Sequence, residues 1–102
     1  MSGKVFPYVK QSAERIPLYI DFTGRLPDDE DIDTASVTVT ELVSGTDVTS
    51  AILLSSAVAT PRVNAVFIAG TTGTRYKVTY LVATTPSSYI FESDAYLDVL
   101  DV

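Results

Sequence analysis

The chain contains no cysteine and no histidine. Without cysteine it has no disulfide framework, no thiolate nucleophile and no cysteine-based zinc site. Without histidine it lacks the commonest general base and the commonest metal ligand. An enzyme built from this chain would need a carboxylate pair or one of its lysines, which are Lys4, Lys10 and Lys77. We therefore expect no enzymatic activity, no catalytic residues and no cofactor.

Positive charge and long apolar runs are also scarce. The formal net charge is −6 at pH 7, and an acidic surface repels phosphate backbones, so we expect no nucleic-acid partner. No apolar run approaches the roughly 20 residues of a membrane span, and the N-terminal MSGKVFPYVK lacks a signal-peptide core. We expect no membrane partner and synthesis in the cytoplasm.

Strand-forming residues make up much of what is present. The 102 residues fit a single domain over 1–102, and the stretch RIPLYIDF alternates with period two, with Ile16, Leu18, Ile20 and Phe22 on one face. Pro17 predicts an edge position or a bulge for this strand. The stretches ASVTVTELV and RVNAVFIAG predict further strands, the second of them central, whereas SSAVATP fits either a short strand or a loop.

About seven short strands, separated by turn signals, predict an all-β fold, an Ig-like antiparallel β-sandwich. The stretch AGTTGTRYKVTYLV is typical of one feature of such sandwiches, a tyrosine at the start of a strand that bonds back to the preceding turn. We predict this structural corner at Gly70, Gly73, Thr74 and Tyr76. A phosphate-binding loop fits poorly, because the glycines lead into a strand and no Gly-Lys-Ser/Thr follows.

The acidic stretch PDDEDID is a candidate for calcium binding, since Asp28–Asp33 offers carboxylate oxygens. A calcium loop starting at Asp29 would need glycine and glutamate where the chain has Thr34 and Thr40, so the match fails twice. The other interpretation is a solvated loop whose charges discourage edge-to-edge association. We predict no metal site, and calcium binding by this loop stays open.

Ordinary cross-strand packing explains outward-facing tyrosines in a sandwich. The alternative is that some of them anchor a protein interface, because tyrosine is enriched at such surfaces. The apolar stretch KVFPYVK precedes the first predicted strand, and we expect an N-terminal arm over residues 1–12 that crosses onto a neighbouring subunit. The candidate interface residues are Phe6, Tyr8, Tyr19, Tyr89 and Tyr96.

Three stretches carry a family resemblance: KQSAERIPLYIDFTGRLPDDEDID (10–33), VFIAGTTGTRYKVTYLVAT (66–84) and SDAYLDVL (93–100). With these, the chain resembles the small Ig-like structural proteins encoded in the head, neck and tail gene blocks of tailed bacteriophages. The resemblance implies a non-enzymatic virion protein made in the host cytoplasm and present in many copies. It implies contacts with other phage structural proteins: capsid, connector or tail subunits. It leaves open whether the protein decorates the capsid or belongs to the neck or tail.

A second function of a different class is an adhesion module of the phage particle that binds a host surface or a glycan. Exposed tyrosines suit stacking on sugar rings, so this alternative rests on the same aromatic residues. A glycan array separates the two hypotheses.

Overall fold

The computed structural model describes residues 7–101, which form seven β-strands and one short helix in two packed sheets. Sheet A has the strand order β1-β7-β6-β3, and sheet B has the order β2-β5-β4. The predicted all-β sandwich of about seven strands is confirmed. The elements are β1 (Pro7–Lys10), β2 (Ile16–Asp21), β3 (Asp31–Glu41), α1 (Thr49–Ile52), β4 (Leu53–Ala59), β5 (Arg62–Phe67), β6 (Thr74–Thr85) and β7 (Ile90–Val99).

The core lies between the sheets, where the alternating strands bury their apolar faces. In β6, the side chains of Tyr76, Val78, Tyr80 and Val82 are buried, while the residues between them face outward. A period of two puts these side chains on one face, and burial of that face is the main stabilising contribution. Sheet B contributes a matching row from its central strand β5, with Val63, Ala65 and Phe67 buried.

The position of each strand in sheet B is compared with what its residues predict. β2 contains Pro17 and lies at an edge of sheet B, where a residue without an N–H is tolerated. β5 lies between β2 and β4, in agreement with the prediction of a central strand. β4 occupies the stretch for which the sequence left strand and loop open.

Three features differ from the sequence prediction. β1 pairs with β7 in parallel orientation, so the sandwich is not entirely antiparallel. β3 begins at Asp31, inside the acidic run that was predicted to be loop, and has an irregular register between Ile32 and Thr34. The four-residue helix α1 has no sequence signal, because it is too short to show a helical period.

Residues 7–10 are part of sheet A, through the pairing of β1 with β7. Lys10 is fully buried, so this part of the expected arm over residues 1–12 packs within its own domain. The arm remains a prediction for residues 1–6, which lie outside the described residues. A test of it should therefore delete residues 2–6 and leave β1 intact.

Candidate structural corner and interaction surfaces

Tyr76 lies near the start of β6, just after the turn that follows β5. Its side chain is 3% exposed, and its hydroxyl accepts a hydrogen bond of 2.9 Å from the backbone N–H of Thr71. A second bond of 3.1 Å runs from the N–H of Thr74 to the carbonyl of Thr71. The ring thus fills the core while the hydroxyl holds the turn, which is the geometry of a tyrosine corner.

The two glycines of this turn have left-handed backbone angles, with φ of +101° at Gly70 and +85° at Gly73. A Cβ on Gly70 would lie 2.6 Å from Cγ2 of Val99, whereas a Cβ on Gly73 would meet nothing within 4 Å. The N–H of Gly73 donates to the carbonyl of Val99 at 2.7 Å. The turn therefore packs closely against the end of β7, and only glycine fits at position 70.

Lys10 is the most unusual residue of this region, because its charged side chain is fully buried. Its Nζ donates to the carbonyls of Gln11 at 2.7 Å, Ser12 at 3.2 Å and Ala69 at 2.6 Å. Burial lowers the pKa of Lys10, while the carboxylates of Glu14 and Asp101 oppose that effect. Three acceptors match the three donors of an ammonium group, so this lysine joins β1 to the turn before β6.

Asp101 completes this connection from the C-terminal side. Its carboxylate accepts bonds of 2.7 Å from the N–H and 2.9 Å from the hydroxyl of Ser12, and its own N–H donates to the hydroxyl of Thr72 at 2.9 Å. The hydrogen bonds from Ser12 lower the pKa of Asp101, and Lys10 adds to them. We call the bonded set Lys10, Ser12, Thr72, Tyr76 and Asp101 the terminal clamp.

One carboxylate of the acidic loop, that of Glu30, points into the protein. Glu30 is 9% exposed and accepts hydrogen bonds from the hydroxyl of Thr84 at 2.8 Å and from the N–H and hydroxyl of Ser87. Burial would raise the pKa of Glu30, but these hydrogen bonds outweigh it and lower the pKa. The loop is thereby tied to the turn between β6 and β7.

The remaining acids of the loop, Asp28, Asp29, Asp31 and Asp33, are exposed. Among residues 7–101, no group of three or more acidic side chains has the geometry to hold a metal ion. Because Glu30 turns inward to hydroxyl donors, the loop offers fewer converging carboxylates than its sequence suggests. The same part of the chain has no helix long and apolar enough to cross a bilayer.

The candidate interface tyrosines lie on separate surfaces. Tyr8 is partly buried and packs against the core. Tyr19 is on the outer face of sheet B, 51% exposed, with the guanidinium of Arg62 4.8 Å from its ring centre. Tyr96 is on the outer face of sheet A. Tyr89 is in the turn between β6 and β7, 49% exposed, and Phe6 lies outside the described residues.

The outer face of sheet A has two chemically different ends. At one end, Arg75 makes two bonds to Asp98, at 2.6 and 2.9 Å, and Lys77 lies 3.6 Å from Asp94. At the other end, a shallow apolar depression includes Leu81, Ala83 and Ile90. Ile90 is 61% exposed. This second end presents Leu81 and Ile90 to a partner, while Val9, 63% exposed, lies beside Asp98 at the charged end.

Comparison with known proteins identifies the family of this chain. A family model described as podophage GP4 fiber-tail adaptor protein gp77 matches residues 10–96. The matched span begins at the buried lysine of the terminal clamp and includes Tyr76 and the inward-facing glutamate of the acidic loop. No curated protein matches the chain. The chain therefore belongs to the podophage GP4 fiber-tail adaptor protein gp77 family, and it is a structural protein of a bacteriophage virion.

Proposed function

We propose that this protein is a non-enzymatic adaptor that joins fibre subunits to the tail of the phage particle. The observation that carries the proposal is the family match over residues 10–96, since the family is described as a fiber-tail adaptor. The proposal is narrower than the sequence-based alternatives of capsid decoration and head–tail connection. It gives the protein two partners, one on each side of the joint.

The buried charged groups are consistent with a structural role. In the described part of the chain, Lys10 is held by backbone carbonyls and Glu30 by hydroxyl and backbone donors. Both side chains are thus occupied in joining segments of the fold. A general acid or base must instead reach a substrate proton, which neither side chain can do from this position.

The two outer faces of the sandwich supply chemically different contact surfaces. The face of sheet A carries ion pairs at one end and the exposed apolar residues Leu81 and Ile90 at the other. The face of sheet B, around Tyr19, Asn64 and Ala57, carries an ion pair between Asp21 and Arg62. Because the faces point in opposite directions, one domain can contact two different subunits at once.

The experiment that tests the proposal removes this gene from the phage and measures the protein content of the purified particles. Quantitative mass spectrometry should find capsid and tail proteins at wild-type levels and the fibre protein strongly depleted. In wild-type particles, the copy number of this protein should be close to that of a tail ring and far below that of the capsid protein. Retention of fibres on the deleted particles would overturn the proposal.

Complementation from a plasmid locates the contact. Ile90→Asp places a charge in the apolar end of the sheet A face and should restore fewer fibres than the wild-type gene. Ser50→Asp on α1 introduces the same charge at another exposed position and should restore fibres fully. Equal restoration by both variants would show that the apolar end of sheet A is not the contact.

A further inference from the structure

Negative charge is absent from a long continuous part of the chain. All the aspartates and glutamates lie outside residues 48–91, and between Val48 and Thr74 the only charged residue is Arg62. This part of the chain, which has no acidic residue, forms α1, β4 and β5, and so two of the three strands of sheet B. Two copies of a chain with net charge −6 repel one another, and that repulsion is weakest where these strands face each other.

Within that region, β4 has an open edge. It is the last strand of sheet B, and every residue of Leu54–Ala59 is exposed, including Leu54 at 46% and Val58 at 38%. An edge strand presents a row of unpaired backbone N–H and C=O groups that can pair with another strand. β4 combines this edge with small uncharged side chains that allow close approach.

The other described edge strands carry features that discourage pairing. β1 has only four residues, and β2 contains Pro17. β3 has an irregular register near Ile32 and carries acids at Asp31 and Glu41. β4 also has an irregular register, between Leu53 and Ser55. Among the described strands it nevertheless has the only edge without a proline, a charge or a length limit, and the best-matched partner for it is another β4.

We propose that β4 pairs antiparallel with β4 of a second copy of this chain, about a two-fold axis at Ser56. This register pairs the whole strand Leu53–Ala59 with itself. Leu54 of each copy then lies opposite Val58 of the other, and Ser56 lies opposite Ser56. Sheet B becomes continuous across the two copies. This inference goes beyond the adaptor function and does not depend on it.

The first test measures the mass of the isolated full chain by sedimentation equilibrium over a range of concentrations. The wild-type chain should show a monomer–dimer equilibrium. In this register Ala57 is the diagonal neighbour of Ala57 in the second copy, so Ala57→Lys places two like charges about 7–8 Å apart at the Cα atoms. The substitution should raise the dimer dissociation constant about tenfold or more, which corresponds to about 1.4 kcal/mol. Ser36→Lys makes the same charge change at an exposed position of β3 and should leave the dissociation constant unchanged.

Circular dichroism melting shows whether both variants are folded, so a lost dimer is not mistaken for unfolding. A wild-type chain that remains monomeric at the highest soluble concentration overturns the proposal. Equal dimerisation by Ala57→Lys and the wild type overturns it as well. A monomeric protein that nevertheless retains fibres on the particle would contradict only this inference, and the adaptor function would stand.

Single cysteines test the register without background, because the chain has no cysteine of its own. In the proposed pair the two Cα atoms at position 56 lie about 4.5–5.5 Å apart, within disulfide range. Ser56→Cys should therefore oxidise to a covalent dimer. Ala59→Cys faces Leu53 of the second copy, roughly 20 Å along the strand from its own equivalent, and should not. Cross-linking at position 59 but not at position 56 would overturn the proposed pairing.

Discussion

The terminal clamp and the edge strand β4 belong to one small domain but use their residues in opposite ways. In the clamp, Lys10 bonds to Ala69 across 59 positions of the chain, and Ser12 bonds to Asp101 across 89. β4 consists of small uncharged residues that are exposed along most of the strand. The difference indicates that long-range hydrogen bonds hold the two terminal segments together at the clamp, whereas the side chains of β4 are left exposed and available for contacts.

The largest expected effect comes from Lys10→Met. The substitution keeps an apolar stem but leaves three partly buried carbonyls without their charged donor, and we expect a loss of about 3–5 kcal/mol in the free energy of unfolding. Lys77→Met is the control, since the Lys77 side chain is 38% exposed and forms a 3.6 Å ion pair with Asp94, and it should lose about 1 kcal/mol or less. Urea titration measures both. Similar losses in the two variants would mean that Lys10 contributes no more to the free energy of unfolding than the exposed ion pair of Lys77 does.

Gly70→Ala should have the next largest effect. The new methyl group would meet Val99 at 2.6 Å with φ at +101°, and overpacking together with left-handed strain costs about 2–4 kcal/mol. Gly73→Ala, in the same turn, has φ of +85° and open space, so it should lose only about 1–2 kcal/mol. Thermal unfolding of the pair separates the steric contact from backbone strain. A larger loss at position 73 would contradict the close packing of the turn on β7.

Tyr76→Phe removes the hydroxyl that accepts from Thr71 and retains the buried ring. We expect a loss of about 1–2 kcal/mol, because the Thr71 N–H loses its partner in a partly buried turn. Tyr19→Phe serves as the control, since Tyr19 is 51% exposed, and its unfolding midpoint in urea should not change. If Tyr76→Phe unfolds at the wild-type midpoint, the corner bond contributes little to the clamp.

The sequence predicts only some residues of the terminal clamp, and the reason is physical. The turn glycines and the tyrosine that begins β6 leave a local signal, because the backbone of a corner restricts which residues fit. Lys10 leaves none, since two of its acceptors are nearby carbonyls and the third belongs to Ala69 far along the chain. Any residue type can supply a carbonyl, so no pattern marks a buried lysine of this kind.

The acidic loop and β4 show the same limit. Glu30 is one acid in a run of similar acids, and only the position of Thr84 and Ser87 makes it the buried one. In β6 and β7, buried and more exposed residues alternate with the strand period of two. In β4 the strand is exposed on both faces, so no alternation develops, and the stretch could not be separated from a loop.

The hydrogen bonds to Glu30 predict that its contribution to the free energy of unfolding changes only at acidic pH. Its folded pKa lies below the ordinary value of 4.5, so its contribution to stability is present above about pH 4.5 and is lost as the pH falls through the folded pKa. Glu30→Gln should therefore be less stable than the wild type at pH 7, and the difference should shrink below about pH 4.5. Glu92→Gln removes the same charge from an exposed side chain and serves as the control in denaturant titrations at each pH. A difference between Glu30→Gln and the wild type that stays constant from pH 7 to pH 3 would contradict the inward-facing role of this carboxylate.

The smallest expected effect is at β4, where Val58→Thr should change the free energy of unfolding by no more than about 0.5 kcal/mol. Val58 is 38% exposed, whereas its register partner Val63 is fully buried in β5. Val63→Thr places a hydroxyl in the core and should lose about 1–3 kcal/mol. Both are measured by urea titration at low protein concentration, so that association does not contribute. If Val58→Thr lost as much unfolding free energy as Val63→Thr, β4 would contribute to core packing as strongly as β5 does. Since the two valines face the same side of one sheet, a small loss at position 58 and a large one at 63 would show that β4 adds little to folding and is available for pairing.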